Sequence, residues 1–185
     1  MPFSLIIILL ALTTESFATS WYSTAVHSKL EQKPPYLLPF AMAIIKSLVL
    51  LGGIFLGSLA SVDVPMFYMT MAYALMFIIG LKMLTEVLRF HPEERIVIID
   101  NLKTILLVSV AGSFNTFFLG ISLGVLKIAP FYPVVLTFIL TIALGYLAII
   151  LAIKLGLRPV VRYINIIAAL LIALIALKFF ISYFL

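Results

Sequence analysis

The sequence predicts an all-α integral membrane protein of six transmembrane helices, and three observations carry that reading. The chain has 185 residues, 65 % hydrophobic and only 10 % charged, against about 25 % charged in an ordinary soluble domain. Its apolar residues gather into six runs, each near the ~20 residues a helix needs to cross the hydrocarbon. The links between them hold charges, prolines or both, the punctuation expected between spans.

In chain order the runs cover residues 3–27, 36–59, 65–87, 103–127, 132–153 and 159–184. They are separated by "HSKLEQKPPY", "SVDVP", "RFHPEERIVIIDN", "KIAPFYP" and "KLGLRP". The longest polar link, near 88–102, holds no more than a short amphipathic segment, so 1–185 reads as one membrane domain. A cleaved leader is the competing reading of the first run. It lacks a basic n-region, since no lysine or arginine precedes Lys29, and "TTES" ends its apolar stretch without a clear cleavage site. Cysteine is absent, which excludes disulfides and thiolate ligands or nucleophiles and leaves the redox compartment unmarked.

The net charge is +5. In a membrane protein such an excess points to cytoplasmic loops rather than to nucleic acid. Lys29 and Lys33 follow the first span, Arg89, Arg95 and Lys103 the third, and Lys154, Arg158 and Arg162 the fifth. The opposite side has only Lys127. The positive-inside rule then places three basic loops in the cytoplasm and both termini outside.

The chain also resembles itself. Setting "LLALTTESFATS" (9–20) against "LVSVAGSFNTFFLG" (107–120) aligns Glu15 with Asn115, Thr13 with Ser113, Ser16 with Thr116 and Phe17 with Phe117. Later, "IIGLKML" (78–84) resembles "LIALKFF" (174–180), pairing Lys82 with Lys178. The offsets, 100 and 96 residues, are nearly the same. One duplication of a three-helix unit accounts for both, with repeat one at about 1–90 and repeat two at about 100–185. Three spans is an odd number, so the two repeats are inverted in the membrane, an arrangement typical of secondary transporters with a midplane site.

Depth agrees with that arrangement. At 1.5 Å per residue, Glu15 lies ~18 Å inside the first span and Asn115 about as far into the fourth, near the middle of a ~30 Å core. Lys46 reaches a similar depth from the cytoplasmic side. Ionisable groups at that depth cost a few kcal/mol or more and normally face partners in the protein interior. One reading is a structural Glu15–Lys46 ion pair, with nearby hydroxyls bonded to backbone carbonyls. The functional reading is a cation or proton site in which Glu15, Asn115, Thr13, Thr14, Ser16, Ser113 and Thr116 supply oxygen ligands suited to Mg²⁺ or Mn²⁺.

Other polar residues read more simply. Lys82 and Lys178 lie near span ends and are expected to snorkel to the headgroups, with Glu86 sharing the rim of Lys82. His27 and His91 sit near interfaces, "HPEER" is a solvated loop, and Gly52, Gly53, Gly57, Gly120 and Gly124 mark close helix packing. No HExxH, GxSxG or Gly-rich phosphate loop is present, so an enzyme is not expected. No cofactor is expected either, apart from a bound or transported Mn²⁺.

The stretches "LTTESFATSWYSTAVHSK", "FAMAIIKSLVLLGGIFLG", "MFIIGLKMLTEVLRF" and "AGSFNTFFLGISLGVLK" together resemble the MntP-type manganese exporters, within the wider lysine-exporter-like group of small transporters. The resemblance implies two inverted three-helix units, both ends outside, and Mn²⁺ export. It also implies short acidic motifs in the first and fourth helices and a glutamate in the second. Against that pattern Glu15 keeps the first acid, Asn115 stands where the second aspartate would be, and Lys46 stands where the glutamate would be. The expected function is therefore export of a small cation by alternating access, with Glu15 and Asn115 at the centre and Lys46 as charge partner. The expected setting is a bacterial or archaeal plasma membrane, with the lipid bilayer as partner and no nucleic acid. The same fold moving a monovalent cation, an amino acid or another small solute is the alternative. A non-transporting membrane component held together by Glu15 and Lys46 is the reading from a different class.

Overall fold

The computed structural model describes residues 2–60, 65–89, 101–157 and 160–184. His91, Arg95, Arg158 and "HPEER" lie outside the described residues. Among the described residues every regular element is a helix: α1 (Pro2–Lys29), α2 (Leu37–Ala60), α3 (Pro65–Arg89), α4 (Leu102–Ala111), α5 (Phe114–Val125), α6 (Phe131–Leu155) and α7 (Val160–Phe184). Helix is the necessary form for apolar runs of this length, because lipid offers no hydrogen bonds to the backbone. The stops follow local chemistry. After α1, Glu31 turns to φ 56°, and Pro34 and Pro35 have no N–H with which to continue the ladder. α6 begins behind Pro130 and carries Pro133 in its first turn, where a missing N–H costs nothing. It ends at Gly156, φ 64°, a left-handed angle glycine adopts freely.

Helices α1, α2, α3, α6 and α7 are each long and apolar enough to cross a bilayer, and the bent pair α4–α5 makes up to six spans. That pair departs from the single span expected over 103–127: its axis bends by 44° at Gly112 and Ser113. Ser113 Oγ donates back to Ser109 O at 2.6 Å, and Ser109 Oγ to Ile105 O at 2.8 Å. Hydroxyls that bond back to the preceding turn compete with the helix ladder and bend it, and glycine offers no side chain to resist.

The outward faces carry Leu48, Phe55, Phe67, Ile78, Phe131, Ile139, Ile150, Ile167 and Leu174, all exposed. So much exposed apolar surface on a water-soluble monomer would aggregate; against lipid tails it is the matching surface. Inside, α1 is the most buried span. Its first half (Leu5, Ile8, Leu9, Leu12) packs in one apolar cluster with Leu50, Met76, Ile79, Leu119 and Ile172. Its second half (Phe17, Trp21, Tyr22, Ala25) packs in another with Ala148, Ala152 and Val161. Residues Thr13–Ser16 fall between the two.

The largest interfaces join α2 to α5, α3 to α7 and α1 to α6, followed by α2–α6, α1–α7 and α3–α5. The α2–α5 crossing is the tightest. A Cβ on Gly53, Gly57 or Gly124 would collide with backbone oxygens of Phe117, Ile121 or Ile54 respectively, and one on Gly120 would lie 2.6 Å from Leu50 O. The close packing expected at Gly53, Gly57, Gly120 and Gly124 is thus present, as two facing GxxxG pairs whose small residues let the backbones meet. Gly52 meets nothing within 4 Å and takes no part. At one end of the bundle, Arg162 donates to Leu88 O at 3.2 Å, and Trp21 Nε1 to Gly156 O at 3.0 Å. These contacts, with Leu38 and Met42 against Ile105, gather the ends of α1, α3 and α6 and the starts of α2, α4 and α7. The described loop lysines and arginines cluster there, apart from Lys127.

Candidate functional site

Glu15 projects from α1 in the polar band between the two apolar clusters, and Asn115 from the first turn of α5, just past the bend. The bend matters locally, because it starts a new helix whose second residue, Asn115, reaches Glu15 of α1. The two side chains meet directly: Asn115 Nδ2 donates to Glu15 Oε1 at 2.5 Å. The two residues paired when the sequence is set against itself are therefore one hydrogen-bonded unit.

Lys46 of α2 is fully buried and stands 3.8 Å from Glu15 Oε2. That separation exceeds the 2.7–2.9 Å of a charge-assisted hydrogen bond, so the attraction is coulombic. Its ammonium also donates to Leu12 O at 3.4 Å, a long contact. The two charged groups are neighbours, but Lys46 does not clamp the carboxylate.

The hydroxyls divide into two groups. Thr13 donates to Leu10 O at 2.8 Å, Thr14 to Ala11 O at 2.7 Å and Ser113 to Ser109 O at 2.6 Å. Their protons are committed to their own helices. Ser16 and Thr116, which the repeat also aligns, are buried with no hydrogen-bond partner. So are Ser20, Ser23 and Thr24 of α1, which continue one turn after another from Ser16 toward His27, itself bonded through Nδ1 to Ser23 O.

Lys82 corrects the expectation drawn from its place near a span end. Its ammonium donates to Asn115 Oδ1 at 2.7 Å while lying 3.1 Å from Glu86 Oε1. Side-chain exposure is 47 % for Lys82 and 30 % for Glu86, but 17 % for Glu15 and 0 % for Lys46, so the network runs from a sealed end to an open one. Lys46, Glu15, Asn115, Lys82 and Glu86 form a single line in which two ammonium groups balance two carboxylates. The sequence held one signal for this: Lys82 and Glu86 are one helical turn apart, so a single α3 face presents both. Lys178, equated with Lys82 by the repeat, is exposed as expected.

Among the described residues, the side-chain oxygens gathered here that suit a cation are those of Glu15, the Asn115 amide and the neighbouring hydroxyls. Among the described residues no three His, Asp or Glu side chains come together to hold a metal.

The family profile described as "Putative manganese efflux pump" matches residues 29–180, a stretch that includes Lys46, Lys82 and Asn115. A protein of Methanothermobacter thermautotrophicus named "Putative manganese efflux pump MntP" is 38 % identical over 80 residues, covering 41 % of this chain and 42 % of that protein. The chain therefore spans less than half the length of that relative in the match. "Putative manganese efflux pump MntP 1" of Wolinella succinogenes is 28 % identical over 148 residues, 79 % of each chain. No solved structure matches the chain. With the profile spanning all but the first helix and the last few residues, the chain belongs to the MntP family, a family of transporters rather than enzymes.

Proposed function

We infer that this protein exports Mn²⁺ or a closely related small cation by alternating access, with Glu15 and Asn115 as its central site. The observation that carries the reading is their direct hydrogen bond between two apolar clusters. A cation that sheds water there needs oxygens in exchange. Glu15 supplies the charge, Asn115 Oδ1 a neutral donor, and Ser16 and Thr116 hydroxyls that nothing else engages.

The helix pairings support the inverted repeat. Exchanging α1 with α4–α5, α2 with α6 and α3 with α7 maps the large interfaces onto one another: α2–α5 onto α1–α6, and α1–α7 onto α3–α5. With the basic loops inside, the cytoplasmic end is the one where Lys82 and Glu86 form the exposed limb of the network. The other end is closed by Leu5, Ile8, Leu9 and Leu12 with their neighbours. Beyond that closure lies an apolar cavity of about 170 Å³ lined by Leu5, Ile8, Tyr73, Met76, Leu123 and Phe179. The described conformation is then one in which cargo approaches from the cytoplasm past Lys82 and the α1 hydroxyls, and exit requires the apolar layer to part.

A second reading keeps the fold and changes the cargo to a monovalent cation or another small solute. Lys46 favours it, because a fixed ammonium 3.8 Å from the Glu15 carboxylate repels a divalent ion more than a monovalent one.

Flux into proteoliposomes decides between them. Wild-type protein should move Mn²⁺, and Glu15→Gln should lose at least nine-tenths of that flux while remaining monodisperse in detergent. Unchanged flux in Glu15→Gln removes Glu15 from the mechanism. Flux of a monovalent cation or an amino acid in place of Mn²⁺ establishes the second reading.

A further inference from the structure

Lys82 joins the amide of the network to its exposed carboxylate. Its ammonium sits on Asn115 Oδ1 at 2.7 Å, the oxygen a bound cation needs. Glu86 Oε1 is 3.1 Å away on the same helix. The Asn115 side chain has no other oxygen to offer, and its Nδ2 is already committed to Glu15. Two positive charges on one amide oxygen repel each other strongly in a site with little water, so cargo and Lys82 compete for it. The competition has an inexpensive outcome for the loser, since Lys82 can leave Asn115 without becoming an unpaired charge.

The two lysines consequently differ in kind. Lys46 is fully buried, and the carboxylate it faces is that of Glu15. Lys82 is half exposed and its long side chain has room to turn.

We propose that the Lys82 ammonium is a tethered stand-in for the transported cation: it occupies the Asn115 amide oxygen while the site is empty, and arriving cargo drives it onto Glu86. The proposal rests on the reading of Glu15 and Asn115 as the cargo site. It assigns Lys82 two effects. Its charge lowers the affinity of the site for any cation. Its hydrogen bond satisfies an amide oxygen that would otherwise be buried and unpaired in the empty carrier, which eases the return step after release. Loaded carriers do not need that bond, because the cargo makes it.

The test is titration of the purified full-length protein with Mn²⁺ alone, followed by calorimetry, together with two flux measurements: net export and Mn²⁺–Mn²⁺ exchange. Lys82→Met should bind Mn²⁺ at least tenfold more tightly than wild type, as removal of a unit charge a few ångströms from the ion requires even after screening. Its net export should fall at least fivefold while exchange persists. Lys82→Arg should resemble wild type in both. Glu86→Gln, which removes the resting place, should bind at least threefold more weakly. Equal or weaker binding by folded Lys82→Met overturns the proposal, as does parallel loss of export and exchange. If Lys82→Met does not fold, Glu86→Gln decides, and wild-type affinity there overturns the proposal. If wild type neither binds nor carries Mn²⁺, the export reading fails by itself. Lys82→Met that then gains Mn²⁺ binding still upholds the displacement, and one that gains none overturns it.

Discussion

Lys46 sets two opposing costs against each other. Desolvating an ammonium in the bundle is expensive, and Glu15 offsets this only partly at 3.8 Å. Removing the lysine alone leaves the carboxylate beside Asn115 with its nearest buried counter-charge gone. Lys46→Met should therefore lower stability by about 1–3 kcal/mol, while Glu15→Gln/Lys46→Met should recover most of that loss, because no charge remains to be compensated. Thermal unfolding of the four proteins in one detergent checks this; additive losses would show that the two side chains are energetically independent. Glu15, Asn115 and Lys46 were legible as a constellation from the sequence, because each breaks an apolar run near its middle. Lys82 was not. Its run position fits snorkelling equally well, and only the packing of α3 on α5 decides that its ammonium turns inward to Asn115.

At the scale of elements, five of the apolar runs match single long helices among the described residues to within a few residues at their ends, since lipid imposes length and apolarity together. Hydropathy missed the bend inside the fourth run. Both arms, Leu102–Ala111 and Phe114–Val125, are apolar, and the serine back-bonds that bend them leave no trace in hydropathy. Without that bend Asn115 would be mid-helix, one more position on a continuous cylinder. The glycine crossing of α2 and α5 brings a sharper test. Gly57→Ala drives a methyl into Ile121 O, whereas Gly52→Ala enters open space. The first should cost at least 2 kcal/mol by forcing the helices apart, roughly the scale of overpacking, and the second should stay within about 0.5 kcal/mol. Equal melting temperatures for the two would remove the crossing as the tight contact. Flux through Gly57→Ala should fall with stability, because Asn115 lies on the same α5 that is displaced.

For the whole molecule, the positive-inside rule assigns the basic end of the bundle to the cytoplasm. The absence of cysteine makes that assignment simple to check. Single cysteines placed at Lys33 or Lys154 should be protected from an impermeant maleimide in intact cells and react after permeabilisation. A cysteine at Lys127 should react at once. The reverse pattern places both termini inside and turns the exposed Lys82–Glu86 limb to face outward, making the proposed direction of transport inconsistent with the described conformation.

The interleaving of the two halves has a consequence for how the protein comes to exist in its membrane. Of the large interfaces, α2–α5, α3–α7 and α1–α6 all join a helix made early to one made late, and α1–α2 contact is slight by comparison. When α3 leaves the insertion machinery, the glycine groove of α2 and the polar band of α1 have nothing yet to fill them. Lipid must stand in for the missing half, and Glu15 must wait about a hundred residues of synthesis for the amide that will bond it. The site is therefore complete only once the second half is in place, since Glu15 and Asn115 cannot meet before α5 is made.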